Sequence, residues 1–264
     1  QWLAGEQMAA AAARAADMAV GLYADLAVSV DAGGAECWAQ QRLYSNRVRI
    51  GAPPDDFNPT GQDWGLPPWQ PEALRAAAHA PLVAVLRANM RHAGALRIDH
   101  VMALMRLYLI APGIDAAHGA YVHYAFEELL AAVAIESHRH RCLVIGEDLG
   151  TVPDAIRAAL AAAGVLSYKL LYFEREADGG FRAPADFPAL ALVAASTHDL
   201  PTLAGWWEER DLALRESLFA GAAPAAAQRT QRARDRSALL DLLVRERLWP
   251  AAAEPPPRLD QRLS

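Results

Sequence analysis

The sequence predicts a parallel α/β architecture, a (β/α)8 barrel of which about five strands are present. The first observation is the order of elements, because short apolar runs alternate with helix-forming segments along the 264 residues. The second is that three of the apolar runs end in charged residues, where catalytic groups lie in such folds. The third is the strand count. A closed barrel needs eight strands, so five predict an open sheet with two exposed edges.

Each expected element has a local signature. Runs rich in Val, Ile, Leu, Ala and aromatic residues give five strand candidates, at residues 24–30, 95–99, 142–147, 165–173 and 190–196. Segments that are rich in alanine or have apolar residues three and four apart give the helix candidates, at 2–16, 71–91, 126–139, 153–164 and 228–248. We expect residues 1–250 to form one partial barrel, and residues 251–264, with three consecutive prolines, to be an irregular tail.

A stretch dense in glycine and proline, residues 51–69, interrupts the alternation of strands and helices. This composition predicts a long loop without regular secondary structure. Long loops inside compact domains usually have a function, so we expect residues 51–69 to be a lid or substrate loop.

The composition limits the classes of partner and compartment. A net charge of −6 and a pI of about 5.8 argue against a nucleic acid or an anionic membrane as partner. Cys37 and Cys142 lie in apolar surroundings and predict packing residues in a reducing compartment. No apolar run approaches the roughly 18 residues that span a bilayer. We therefore expect a cytoplasmic protein.

Charged side chains follow three of the strand candidates. Arg97 and Asp99 fall on one face of their strand, because side chains alternate along a strand. A neighbouring guanidinium favours the ionised carboxylate, so this pair is either structural or catalytic. Glu147 and Asp199 follow two further strands. Three carboxylates at one edge of a parallel sheet favour an enzyme.

Four stretches resemble the bacterial 4-α-glucanotransferases, which are barrel enzymes of the α-amylase superfamily. The matching stretches are residues 61–67 (GQDWGLP), 94–102 (GALRIDHVM), 144–153 (VIGEDLGTVP) and 195–202 (ASTHDLPT). They stand in the family's order and spacing, and the resemblance runs from residue 1 to about residue 250. It implies transfer of α-1,4-glucan segments between maltooligosaccharides by a retaining mechanism, with no metal and no organic cofactor.

The resemblance also implies a role for individual residues. Asp99 is the nucleophile, Glu147 the general acid/base, and Asp199 the carboxylate that stabilises the transition state. The positions that match substrate-binding residues are Arg97, His198, Asp55, Gln62 and Trp64. Retention predicts about 5–5.5 Å between the carboxyl groups of Asp99 and Glu147. As the acid, Glu147 needs a raised pKa, which we expect from the negative charges of Asp99 and Asp199.

The sequence departs from the superfamily at two places. The strand at 24–30 lacks the histidine that many amylases carry there, a departure for which this branch is known. In the lid, Asp56 and Phe57 follow Pro-Asp where thermophilic members have Tyr-Phe, so one aromatic for sugar stacking is missing. Trp64 and Trp69 offer flat apolar faces that either stack on sugar rings or anchor the loop in the core.

Three alternatives stay open. The nearest is an α-glucan hydrolase of the same superfamily. A metallohydrolase barrel could use ligands drawn from His100, Glu147, His198 and Asp199, although Arg97 beside the site argues against it. The third is a non-catalytic glucan-binding fragment. Because two apolar strands are expected at open edges, we expect the isolated 264-residue chain to aggregate and to be nearly inactive.

Overall fold

The computed structural model describes residues 2–55, 58–150, 152–218 and 225–250, and these residues form nine α-helices and nine β-strands. The helices are α1 (Trp2–Arg14), α2 (Ala35–Ala39), α3 (Pro71–Ala76), α4 (Ala80–Met90), α5 (Phe126–His140), α6 (Asp154–Ala162), α7 (Leu203–Trp207), α8 (Arg210–Leu218) and α9 (Ala225–Arg245). The strands are β1 (Tyr23–Leu26), β2 (Arg49–Ala52), β3 (Gln62–Leu66), β4 (Ala95–Ile98), β5 (Arg106–Ile110), β6 (Ala120–His123), β7 (Leu143–Gly146), β8 (Leu166–Leu170) and β9 (Ala191–Ala194). The expected tail at 251–264 lies outside the described residues.

The chain divides into two compact units, residues 1–167 and 168–264, with the boundary inside β8. In the first unit, β1, β4 and β7 pair in parallel, and the first residues of β8 pair with β7 in the same direction. In the second unit, β9 lies beside the remainder of β8, where the Leu171 backbone N–H donates to the Ala194 carbonyl at 2.9 Å. The five predicted strands of the barrel are therefore confirmed, at slightly shorter lengths than expected.

The two faces of the parallel sheet in the first unit differ sharply. One face carries Leu96, Ile98 and Val144, which are buried against apolar residues of α4 and α5. This packing follows the 3.6-residue apolar period of the two helices. The opposite face carries Asp25 and Arg97, and it is the face that holds the candidate catalytic groups.

A second sheet is built from segments that lie between the parallel strands in the sequence. β2 and β3 come between β1 and β4, and β5 and β6 come between β4 and β7. Its four antiparallel strands lie in the order β3-β2-β5-β6. The expectation that residues 51–69 lack regular structure is wrong for two parts of this stretch. Residues 51–52 belong to β2, and residues 62–66 form β3. Glycine permits rather than breaks these strands. Gly51 lets the Gln62 backbone approach closely, and Gly65 adopts a left-handed φ of +71° beside a bulge.

The helix expected at 71–91 is also two helices. α3 ends at Ala76 and α4 begins at Ala80, and between them Ala78 and His79 adopt left-handed φ values of 47° and 57°. Pro81 fits this break, because proline is well tolerated in the first turn of a helix. The other four helix candidates are confirmed.

In the second unit, Trp206 and Trp207 are buried in a cluster with Phe181, Leu239 and Leu242. Arg232 donates to Asp211 at 2.8 and 2.6 Å and so ties α9 to α8. No helix in the described part of the chain combines the length and the apolar character that a membrane crossing requires.

Gly51 provides a direct test of the second sheet. A Cβ at this position would overlap both the Gln62 carbonyl oxygen and the Ile110 side chain. We expect Gly51→Ala to destabilise the protein by about 1–3 kcal/mol, the usual cost of forcing an extra carbon into packed structure. Gly5→Ala is the matched control, since among the described residues no atom outside its own helical turn lies within 4 Å of the added Cβ, and the helical site gains about 0.5–1 kcal/mol. Thermal unfolding measures both, and equal melting temperatures would contradict the β2–β3 pairing.

Candidate active site

Asp99 and Glu147 are the first residues after neighbouring parallel strands. Ile98 of β4 is paired in register with Gly146 of β7, so the chain delivers both carboxylates at the same level of the sheet. The backbone continues the ladder past the strand ends, because Glu147 N–H donates to the Ile98 carbonyl at 3.0 Å. Both residues therefore follow paired strand ends at the carboxyl edge of the sheet.

A buried guanidinium lies beside Asp99. The Arg97 side chain is only 8% exposed, and its Nη2 donates to Asp99 Oδ1 at 2.7 Å. Its Nη1 donates to both carboxylate oxygens of Asp25, at 2.8 and 3.0 Å. Asp25 is the register partner of Arg97 on β1. The predicted Arg97–Asp99 pair is therefore confirmed, and it forms part of a bridge across two strands.

The Glu147 carboxyl is partly buried and accepts two backbone hydrogen bonds. Oε2 accepts from His100 N–H at 3.0 Å, and Oε1 accepts from Leu149 N–H at 2.7 Å. Burial raises the pKa of Glu147 most, the two N–H donors lower it, and the negative charge of Asp99 raises it further, for a net upward shift. The expected direction is confirmed, but its main cause is desolvation and not the neighbouring carboxylates.

His100 lies between Glu147 and the loop that the sequence predicts to be a lid. Its backbone has a left-handed φ of 47°, which is strained for a non-glycine residue and turns its N–H toward Glu147. Burial lowers the pKa of His100, so the ring favours its neutral form near neutral pH. Trp64 meets the His100 ring edge-on, with 5.3 Å between ring centroids.

The other residues of the predicted lid differ in the groups that they contact. Gln62 Oε1 accepts from the Trp64 indole N–H at 3.2 Å, so both predicted binding residues lie together on β3. Asp55 Oδ1 accepts from Asn58 N–H. Trp69 packs against the core next to Tyr44 and serves as an anchor. The departure at Asp56 and Phe57 lies outside the described residues.

His198 and Asp199 lie in the second unit, just after β9. His198 Nε2 is 3.2 Å from Asp199 Oδ2, and both side chains are mostly exposed. Their roles beside Asp99 and Glu147 stay predictions, as does the 5–5.5 Å separation between the carboxyl groups of Asp99 and Glu147. Across residues 2–55, 58–150, 152–218 and 225–250, no three His, Cys, Asp or Glu side chains form a group that could hold a metal ion.

A family model described as 4-alpha-glucanotransferase matches residues 1–259. The chain belongs to this family. A 4-alpha-glucanotransferase of Haemophilus influenzae is 46% identical over 95% of this chain, and one of Mycobacterium tuberculosis is 41% identical over 97%. The chain spans 36% of the length of each of these relatives.

Solved structures agree with this assignment. The crystal structure of amylomaltase from Corynebacterium glutamicum is 37% identical, superposes with a TM-score of 0.91, and matches 96% of this chain and 36% of its own. An amylomaltase from Streptococcus agalactiae in complex with acarbose is 22% identical with a TM-score of 0.63, covering 76% of this chain and 43% of its own, and supports the fold alone.

Sequence reasoning missed Asp25 and the contact between His100 and Trp64 at this candidate site. Asp25 falls in the middle of a strand candidate, and only its register with Arg97 reveals its place in the site. The edge-on contact of His100 with Trp64 depends on the fold of the second sheet, which the sequence did not predict. A surplus of charge in an otherwise apolar strand was the one available signal for Asp25.

Asp25 is expected to position Arg97 and, through it, Asp99. Asp25→Asn weakens a charge-assisted pair, and hydrogen bonds to charged groups contribute about 1.5–3 kcal/mol, so we expect about a tenfold or larger fall in kcat. KM should change much less, because Asp25 acts through Arg97. Asp115→Asn, at an exposed aspartate that pairs with the ring of His118, is the control. A change in KM alone, or a uniform loss of folded protein, would contradict a positioning role.

The titration of Glu147 is a second prediction for this site. Because its pKa is raised, its carboxyl should remain protonated to a higher pH than an ordinary glutamate, whose pKa is about 4.3. Carbon-13 NMR of glutamate-labelled protein follows each carboxyl, and Glu147→Gln identifies the resonance that belongs to this site. A midpoint at or below about 4.3 would show that the two backbone donors outweigh burial.

Proposed function

We propose that the protein is a 4-α-glucanotransferase that moves α-1,4-glucan segments between maltooligosaccharides with retention of anomeric configuration. The observation that carries this proposal is the arrangement of Asp99 and Glu147 on adjacent strands, one paired with buried Arg97 and the other with a raised pKa. Two carboxyl groups with different protonation states are what a retaining glycosidic reaction requires.

The proposed reaction has two displacements at the anomeric carbon. In the first, the Asp99 carboxylate attacks C1, the C1–O bond breaks, and the leaving oxygen takes the proton of Glu147. This step leaves a covalent glucosyl ester on Asp99 and a charged Glu147. In the second, a sugar 4-hydroxyl gives its proton to Glu147 and displaces Asp99, so a new α-1,4 bond forms and both groups return to their starting states.

Each neighbouring group has a task in this scheme. Arg97 favours the ionised Asp99 that attacks, and burial favours the protonated Glu147 that donates. Asp199 is proposed to stabilise the positive charge that develops on the sugar, and His198 to bind the sugar at the scissile bond. Arg97, Asp55, Gln62 and Trp64 are the other proposed binding residues.

Transfer instead of hydrolysis depends on excluding water and binding an acceptor sugar. The contact of Trp64 with His100 supports a lid that lies next to the nucleophile position. The Trp64 indole N–H already donates to Gln62 Oε1, so the ring is oriented and needs little reordering to receive a sugar ring. A reducing compartment such as the cytoplasm fits the two cysteines, which are both free and buried.

Asp99→Asn in the complete gene product tests the proposal. We expect conversion of maltotriose to fall by several powers of ten with the fold intact, because enzymes lower barriers by roughly 8–23 kcal/mol in all and the nucleophile is central to that. Asp115→Asn should retain full activity. Thin-layer chromatography follows the products, and a loss of only a few fold would reject Asp99 as the nucleophile.

The same assay separates transfer from hydrolysis. A transferase makes longer and shorter chains while the total number of reducing ends stays constant. A rise in reducing ends would favour the hydrolase alternative, and binding of maltotriose without turnover would favour a non-catalytic glucan-binding protein.

A further inference from the structure

A groove on the first unit, outside the cluster of Asp25, Arg97, Asp99 and Glu147, has the chemistry of a sugar-binding surface. It is an open concavity of about 560 Å3 between α2 with its following turn and the α3–α4 pair. This volume falls in the range of about 300–1,000 Å3 that is usual for small-ligand sites. None of its lining residues belongs to the candidate active site.

One wall of this groove presents an unusually exposed tryptophan. Trp38 on α2 is 78% exposed, and its indole N–H has no hydrogen-bond partner in the described part of the chain. An indole is costly to leave in water, and it combines a flat apolar face with a polar edge. It can therefore stack on the C–H face of a sugar ring and donate to a hydroxyl.

The neighbouring polar groups fit a neutral, hydroxyl-rich ligand. Arg42 is exposed, and among the described residues its guanidinium has no ion-pair or hydrogen-bond partner. Gln41 uses its amide N–H on the Trp38 carbonyl at 3.2 Å, which leaves its side-chain oxygen as an acceptor. Arg42 is the sole charged residue among those that line the groove, and its guanidinium can donate several hydrogen bonds to sugar hydroxyls.

The opposite wall is small and fixed. Ala73, Ala77 and Pro81 leave room for a ring above the backbone. The turn that joins α3 to α4 is held by His79, whose N–H donates to the Leu74 carbonyl at 3.0 Å and whose Nε2 lies 2.6 Å from Glu128 Oε2. A wall that is already ordered lowers the entropic cost of binding.

We propose that this groove is a second α-glucan site, which holds a glucan chain by stacking on Trp38 and hydrogen bonding to Arg42 and Gln41. The identity of the ligand rests on the proposed function, because α-glucans are the polymers that the catalytic site would meet. Such a site raises the local concentration of a long glucan near the active site without changing the reaction of a short one.

Retardation in native gels that contain glycogen tests the proposal. The complete gene product carrying Asp99→Asn is used as the background, so that the polymer is not consumed. We expect Trp38→Ala to weaken apparent affinity for glycogen by about fivefold or more, the effect of losing one aromatic contact of about 1 kcal/mol. Trp2→Ala is the matched control, because Trp2 is also 78% exposed and lies outside the groove. Its affinity should stay within about twofold of the parent.

Two further variants guard against loss of folding. Trp38→Phe keeps a flat face and should retain part of the affinity, and Arg42→Gln alters an exposed side chain and should weaken glycogen binding by about twofold. Equal retardation of Trp38→Ala and Trp2→Ala, or of all groove variants and the parent, would overturn the site. A change in oligomeric state on size-exclusion chromatography with unchanged glycogen binding would assign the groove to protein contacts and would also overturn it.

Maltotriose turnover separates this inference from the proposed function. With Asp99 intact, Trp38→Ala should convert maltotriose at the parental rate, because a short substrate has no need of a second site. If the parent fails to convert maltotriose but still binds glycogen through Trp38, the proposed function fails and the groove assignment stands. If the parent converts maltotriose and glycogen binding is unchanged in Trp38→Ala, the proposed function stands and the groove assignment fails.

Discussion

The buried guanidinium of Arg97 is the constraint on which the candidate site depends. Burying a charge is expensive unless it is paired and hydrogen-bonded, and here three hydrogen bonds reach two carboxylates. Asp99 lies on the same strand as Arg97, whereas Asp25 lies on the neighbouring one. A shift of one residue between β1 and β4 would move Asp25 to the helix-covered face and leave the guanidinium half satisfied. The ion cluster therefore fixes the register that places Asp99.

The same sheet face also explains why the chain exposes apolar surface. Tyr23 and Leu143 stand in one row across β1 and β7, two residues before the row of Asp25 and Arg97, and they are 48% and 51% exposed. Parallel sheets normally have both faces covered, and α4 and α5 cover only the opposite face. Aggregation and low activity of the 264-residue chain on its own stay predictions that rest on the open strand edges, and the exposed Tyr23 and Leu143 add apolar surface beside them.

The parallel part of the fold was accessible from sequence because buried strands read as continuous apolar runs and helices as a 3.6-residue period. The antiparallel sheet was not. β2 and β3 contain glycines, which from the sequence alone predict the end of a strand. Gly51 nevertheless lies within β2, because the Gln62 backbone approaches it too closely for a side chain. β5 follows directly on a catalytic stretch, and β6 is four residues long, so neither shows a period of its own.

In the candidate site, too, some residues could be predicted from the local sequence and others could not. Asp99, Arg97 and Glu147 were predicted because charge ends an apolar run, a local signal, and the resemblance then supplied their roles. Asp25 and the contact between Trp64 and His100 depend on pairing between segments far apart in the chain. Burial as the main cause of the raised pKa of Glu147 likewise depends on packing, which sequence spacing cannot reveal.

The central claim is that Asp99 forms a covalent bond to the sugar, while Glu147 donates a proton to the leaving group and then accepts one from the acceptor. Glu147→Gln treated with an α-maltooligosyl fluoride tests it most directly, because fluoride leaves without protonation and the missing base slows release of the ester. Intact-mass and peptide mass spectrometry should find one glycosyl group, on the peptide that contains Asp99. A protein that stays unlabelled while fluoride is released in a burst, or a label on Asp25 or another carboxylate, would contradict the account.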